Sequence, residues 1–145
     1  MHPKRIVVRV TRVISGKPGE VFEAWLDPTR PASPWSKRNG VKRMIVNPRV
    51  KGLYYLNTDR WGRDFPHFGR FLRLSKPRRI EYTWASESTY GAETLVRITL
   101  QPQGKGTRFS LQHSGLPNDE NGRGHQEGWD HFVGALAEGF ENRKR

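Results

Sequence analysis

The stretch GHQEGWDHF, Gly124 to Phe132, puts two histidines, acids and a tryptophan close together near the C-terminal end, a grouping that invites a metal-site reading. A helix that holds zinc through two histidines needs them on one face. His125 and His131 are six residues apart and stand about 240° from one another around a helix. They cannot share an ion, and no metal site is expected. His125, Trp129, Phe132 and Leu136 instead fall within about 60° of one another at roughly 100° per residue, the stripe of a helix packed on something apolar. His131 is expected on the opposite face.

Other routes to chemistry are as thin. The chain has no cysteine, which removes thiolate nucleophiles, disulfides and cysteine-based metal sites. No G-x-S-x-G elbow and no H-E-x-x-H helix occurs, and the acids are scattered without a pair suited to acid–base work. The run GRGHQEG at 122–128 imitates a dinucleotide glycine fingerprint, but its third glycine comes one position late and no βαβ unit surrounds it. No cofactor and no catalytic residue are assigned. An aldol-type cyclisation needs little covalent help, and for it Arg12, Tyr54 and His113 are the available proton donors or enolate stabilisers.

These residues must be positioned by a small set of elements. KRIVVRVTRVI, 4–14, is a strand with one wetter side. SGKPGEVFEAWLD then spaces Val21, Phe22, Trp25 and Leu26 helically, with Ser15 or Gly16 as a cap near Pro18. Pro28, Pro31 and Pro34 limit the next segment to a broken turn that delivers Trp35. From Val41 to His113 come six strand-like runs, broken at PRVKG, RWGRDFP, SKPR, ESTYGA and PQGKG, and the short breaks argue for an antiparallel meander. GLPNDENGRG is expected to be a loop, leading into a helix from about Gly122 to Asn142. Alternation in the strands turns Ile80, Tyr82 and Trp84, then Val96, Ile98 and Leu100, then Phe109, Leu111 and His113 to one face, which the C-terminal helix covers.

That face carries an aromatic set, Trp35, Tyr54, Phe71, Tyr82, Trp84, Trp129 and Phe132, beside Ile98, Phe109 and Leu111, with His113 and His125 as polar anchors. Mostly apolar walls with few convergent polar groups suit a pocket for a hydrophobic or amphipathic small molecule. The net charge of +12 is uneven: between Lys37 and Arg79 thirteen basic residues face only Asp59 and Asp64. Such a band suggests at most weak, sequence-blind association with nucleic acid or an anionic surface, since no groove-reading helix or stacking platform gathers it. One domain, 1–145, is expected, as monomer or homodimer. The start of the chain lacks the apolar run of a signal peptide and nothing approaches a membrane span, so a cytoplasmic location is expected.

Five pieces in order then carry a resemblance: VFEAWLDP at 21–28 with Trp35 after it, NPRVKG at 47–52, RIEYTW at 79–84, GKGTRFSLQHSGLP at 104–117 and HQEGW at 125–129. Together the chain resembles the START-like, SRPBCC superfamily and, within it, the group of homologues of the activator of heat-shock protein 90 ATPase. Asn47, Lys51 and Lys17 depart from the group's usual Asp, Gly and Pro. The resemblance implies an α+β helix-grip fold, a curved antiparallel sheet of about seven strands around a long C-terminal helix with one or two short helices after strand 1. It also implies a deep cavity between sheet and helix. The superfamily includes carriers, polyketide cyclases or aromatases, and co-chaperone domains, and all three remain open for this chain.

Overall fold

In a computed structural model, which describes residues 4–143, seven strands form one antiparallel sheet in the order β1-β7-β6-β5-β4-β3-β2. The strands are β1 (Ile6–Ile14), β2 (Val41–Val46), β3 (Leu53–Arg60), β4 (Arg63–Ser75), β5 (Arg79–Ser86), β6 (Thr94–Gln103) and β7 (Gly106–Leu116). Helix α1 (Pro18–Leu26) follows β1, and α2 (Glu120–Arg123) and α3 (His125–Asn142) close the chain. The β2-to-β7 meander runs between neighbours, and β1 closes beside β7, so the sheet curls round the helices. This is the helix-grip arrangement that the resemblance implies.

Periodicity accounts for the covering helix. Trp129, Phe132, Val133, Leu136 and Phe140 of α3 are buried, and they share one core with the inward residues Ile98, Leu100, Phe109 and Leu111, none of these four more than 2 % exposed. Burying a side chain of this size is worth roughly 1.5–3 kcal/mol each, the main favourable term in a domain this small.

Three local expectations are corrected. RWGRDFP is not a break: β3 and β4 are joined by Trp61 and Gly62 alone, both at positive φ (53° and 80°), and Arg60 pairs with Arg63. Two central residues at positive φ are the tight hairpin solution that matches strand twist. Pro66 is tolerated inside β4 because pairing with β5 begins only at His67, so there the strand has a ladder neighbour on one side. The segment GLPNDENGRG is not all loop, because Asp119 accepts a hydrogen bond from the Gly122 amide at 3.0 Å and caps the short α2. Neither Ser15 nor Gly16 caps α1: the helix starts at Pro18 with Lys17 at the cap position, and the Ser15 hydroxyl donates to Glu141.

Departures from the family pattern are visible as well. Lys51, where glycine is usual, takes φ 71°, a conformation that favours glycine, so the turn keeps its shape with a strained residue.

Candidate functional site

Inside the sheet the expected deep cavity is filled. The space bounded by Trp25, Trp35, Tyr54, Phe71, Tyr82 and Trp84 amounts to about 20 Å³, room for a water at most. The rings close on each other: Trp25 stands 4.7 Å from Trp35, 5.1 Å from Phe109 and 6.1 Å from Trp129, and Tyr54 lies 5.4 Å from Tyr82. The polar atoms of Trp25, Trp35 and Tyr54 are used within this region. The Trp35 indole donates to the Trp25 carbonyl at 2.6 Å, Trp25 donates to the Tyr82 hydroxyl at 3.3 Å, and Tyr54 donates to the Thr83 carbonyl at 2.6 Å. Tyr54 crosses to Thr83 directly over Gly69, where a Cβ would stand 2.0 Å from the Thr83 carbonyl oxygen, so glycine is required by close approach.

His113 belongs to this closed region. An indole N–H can only donate, so the 2.9 Å contact from Trp129 Nε1 makes His113 Nδ1 an acceptor and leaves the ring proton on Nε2. Nε2 then donates to Thr94 Oγ1 at 2.6 Å, and Thr94 passes its own proton to the Trp84 carbonyl at 2.6 Å. Every member of the chain has its direction fixed. Burial pushes His113 down to about 2, with the neighbouring His125 acting in the same direction, so the ring stays neutral.

Open space lies instead at the mouth, between the first half of α3 and the β3–β4 hairpin. A cleft of about 280 Å³ is bordered by Phe65 and His67 of β4, Trp84 of β5, Arg60 of β3, and His125, Trp129 and Phe132 of α3. His67 and His125 have the same chemistry. His67 Nδ1 lies 3.2 Å from the Leu56 carbonyl and His125 Nδ1 2.9 Å from that of Asn121; a carbonyl only accepts, so each ring carries its proton on Nδ1. Both Nε2 atoms are left as acceptors without a hydrogen-bond partner among the described residues. Burial lowers both histidines, His67 to about 4, so the acceptors persist at neutral pH.

Two further groups complete the cleft. Arg60 lays its guanidinium over Phe65 at 4.6 Å and over Trp61 at 5.2 Å, within 3.4 Å of the Ser88 hydroxyl, and its charge helps to hold His67 and His125 neutral. Trp84 packs 4.5 Å from His67 and 4.8 Å from Trp129, and its buried Nε1 is, among the described residues, the one buried side-chain polar atom without a partner. A buried donor left unpaired costs about 1–3 kcal/mol, a cost usually tolerated only where a ligand or water answers it.

Of the residues expected at the site, Trp84, His125, Trp129 and Phe132 border this cleft. Trp35, Tyr54, Phe71 and Tyr82 line the small interior space, while Ile98, Phe109, Leu111 and His113 pack behind both. None of the three groups offered for proton transfer borders the cleft: Arg12 lies by Gly134 in a groove on the other side of α3, Tyr54 is tied to Thr83, and His113 is enclosed. His131 is not on a free face. Its Nε2 donates to the Asn39 carbonyl at 2.8 Å and closes one rim of the cleft, because the segment before β2 folds back along α3.

Sequence reasoning missed Arg60, Phe65 and His67. Phe65 and His67 share the alternation parity of Phe71, and reading RWGRDFP as a break leaves Phe65 outside the strand and His67 at its very start, where alternation says least. The basic band is scattered over β2 to β5 and partly neutralised, with Lys42 on Asp64 at 2.7 Å, Arg63 on Glu87 at 3.1 Å and Arg70 on Glu93 at 3.2 Å. Among the described residues no helix is long and apolar enough to cross a membrane.

Comparison with known proteins places this geometry. The family model described as Activator of Hsp90 ATPase homolog 1-like protein matches residues 16–141. A crystal structure of a Chromobacterium violaceum protein is 25 % identical with a TM-score of 0.74, covering 93 % of this chain and 96 % of its own. DynU16, from the dynemicin biosynthetic locus, is 25 % identical with a TM-score of 0.71 over 93 % of this chain but 47 % of its own. CalU16 from Micromonospora echinospora shares the fold at 21 % identity, TM-score 0.70, over 94 % of this chain and 85 % of its own. No curated protein matches the chain.

Proposed function

The chain belongs to the activator of Hsp90 ATPase homolog 1-like family, and from that premise we propose that it binds a small amphipathic molecule in the cleft at the mouth of the sheet, as a carrier or sensor. The apolar part of the ligand rests on Phe65, Trp84 and Phe132. Its polar end carries a hydroxyl that donates to His67 or His125, and an oxygen acceptor that meets Arg60. The observation that supports this reading is the pair of neutral imidazoles that border the cleft beside a permanent cation, each with its proton held on Nδ1 by a backbone carbonyl and its Nε2 unpaired among the described residues. Two ring acceptors left without a protein partner beside open space are free to meet a ligand's donor.

The cleft is close to the lower size for small-molecule sites, about 300 Å³, which favours a compact ligand over a long lipid. Saturable binding of an environment-sensitive apolar dye, with a shift in tryptophan emission and displacement by compact hydroxylated aromatics, is the expected result. Native mass spectrometry of the purified protein would reveal a co-purifying molecule. A folded protein with no saturable dye site would remove the reading.

A protein-binding role has its own support. Ile45, Leu53 and Phe68, 50–66 % exposed, stand on the outer side of β2–β4, and Phe68 packs 5.4 Å from Tyr55. Filling of the interior together with an exposed apolar patch suits a protein partner. Loss of partner binding on Phe68→Ser with dye binding intact would favour this role.

A further inference from the structure

We propose that the outer face of β1, β7, β6 and β5 is a second site, which takes a small molecule carrying two or more phosphate groups. It lies across the sheet from the cleft and is independent of it. Strand register places the groups. Arg9 on β1 pairs with Gln112 on β7, which pairs with Arg97 on β6, which pairs with Glu81 on β5, a single row across four strands. The adjacent row is Thr11, Ser110, Thr99 and Arg79. These residues line a shallow depression of about 280 Å³.

Charge is the telling feature. Arg9, Arg79 and Arg97 share one small area, and like charges on neighbouring strands oppose pairing. Among the described residues the single ion pair there joins Arg79 to Glu81 at 3.6 Å, and neither Arg9 nor Arg97 has an acidic partner. Arg9 and Arg97 are two strands apart, about 9–10 Å at the usual strand spacing, a separation that long side chains bridge around one diphosphate. All three cations are arginine, whose planar fork suits phosphate oxygens, and the hydroxyls of Thr11, Ser110 and Thr99 supply neutral donors between them.

The same rows argue against larger anions. They carry no aromatic side chain on which a base could stack, so a single nucleic-acid strand has no anchor beyond charge. They also carry no exposed aromatic wedge for a bilayer. A compact polyphosphate group is what the depression can enclose.

Inorganic tripolyphosphate is the probe, titrated calorimetrically at about 150 mM salt so that diffuse attraction is screened. Saturable one-site binding is expected. Arg97→Gln and Arg9→Gln should each weaken it about tenfold or more, while Glu81→Gln should strengthen it severalfold. Arg49→Gln, on the 47–52 turn, should leave it unchanged, and neither arginine variant should lower the melting temperature of the free protein or alter dye binding in the cleft. The proposal is overturned if tripolyphosphate does not saturate, or if Arg49→Gln weakens binding as much as Arg97→Gln. It is equally overturned if an RNA oligomer or anionic vesicles bind through Arg97 and tripolyphosphate fails to compete.

Discussion

The interior and the mouth of the sheet are built from the same residue types, tryptophan, tyrosine, phenylalanine and histidine, yet they spend their hydrogen bonds differently. In the interior, Trp25, Trp35, Tyr54, Trp129 and His113 bond to one another or to backbone carbonyls, and about 20 Å³ stays empty. At the mouth, His67, His125 and Trp84 stack just as closely but keep an acceptor or a donor free beside about 280 Å³ of cleft. An aromatic lining is therefore no mark of a binding site. Unspent polar capacity is.

Trp129 joins the two regions, so its removal should have the largest effect. Trp129→Ala deletes a ring packed on Trp84 and Trp25 and strips His113 Nδ1 of its donor; a loss of about 3–5 kcal/mol in chemical denaturation is expected. A loss below about 1 kcal/mol would mean that the interior is not packed as described.

Acid should unfold the protein next most strongly. His67, His113 and His125 are all lowered in the folded state from an ordinary value of 6.5, His67 to about 4. Between those values the unfolded chain binds protons that the folded chain does not, so stability falls as pH drops from about 6.5 towards 4. Each pH unit in that window is worth about 1.4 kcal/mol for each of His67 and His113, so His67 alone accounts for about 3 kcal/mol, and His125 adds in the same direction. Denaturation midpoints across pH should show this slope, and His67→Phe should make it shallower. A flat profile would put the histidines in water.

The sharpest contrast comes from one variant on each side. Thr94→Val leaves the His113 Nε2 proton without an acceptor and should cost about 1–3 kcal/mol while dye affinity per folded molecule holds. His125→Gln should cost about 1 kcal/mol at most yet weaken the dye about tenfold. If the two variants exchange these effects, the assignment of the regions is reversed. The smallest effect has the opposite sign. Trp84→Phe keeps a ring but removes the unpartnered N–H, so stability should hold or rise by up to about 1 kcal/mol while affinity for ligands with a carbonyl falls.

Much of this was legible in the chain. The stripe His125, Trp129, Phe132 and Leu136 predicted the covering helix, and alternation in β5, β6 and β7 predicted the inward faces, because helix and strand periods are local properties of the backbone. Five family pieces in order pointed to the helix-grip fold. The absence of cysteine closed whole classes of chemistry without any coordinates. What the chain alone left open was which inward aromatic packs and which binds. Trp129 and His125 lie one turn apart on one stripe, and only the tertiary arrangement gives the first a histidine to bond and the second a cleft to face. Pro66 hid Phe65 for the same reason: whether a proline interrupts a strand depends on whether a neighbouring strand needs its N–H, and local sequence pattern does not show that neighbour. Sequence determines periodicity and composition; hydrogen-bond partners between distant strands and helices are decided only when the chain has closed on itself.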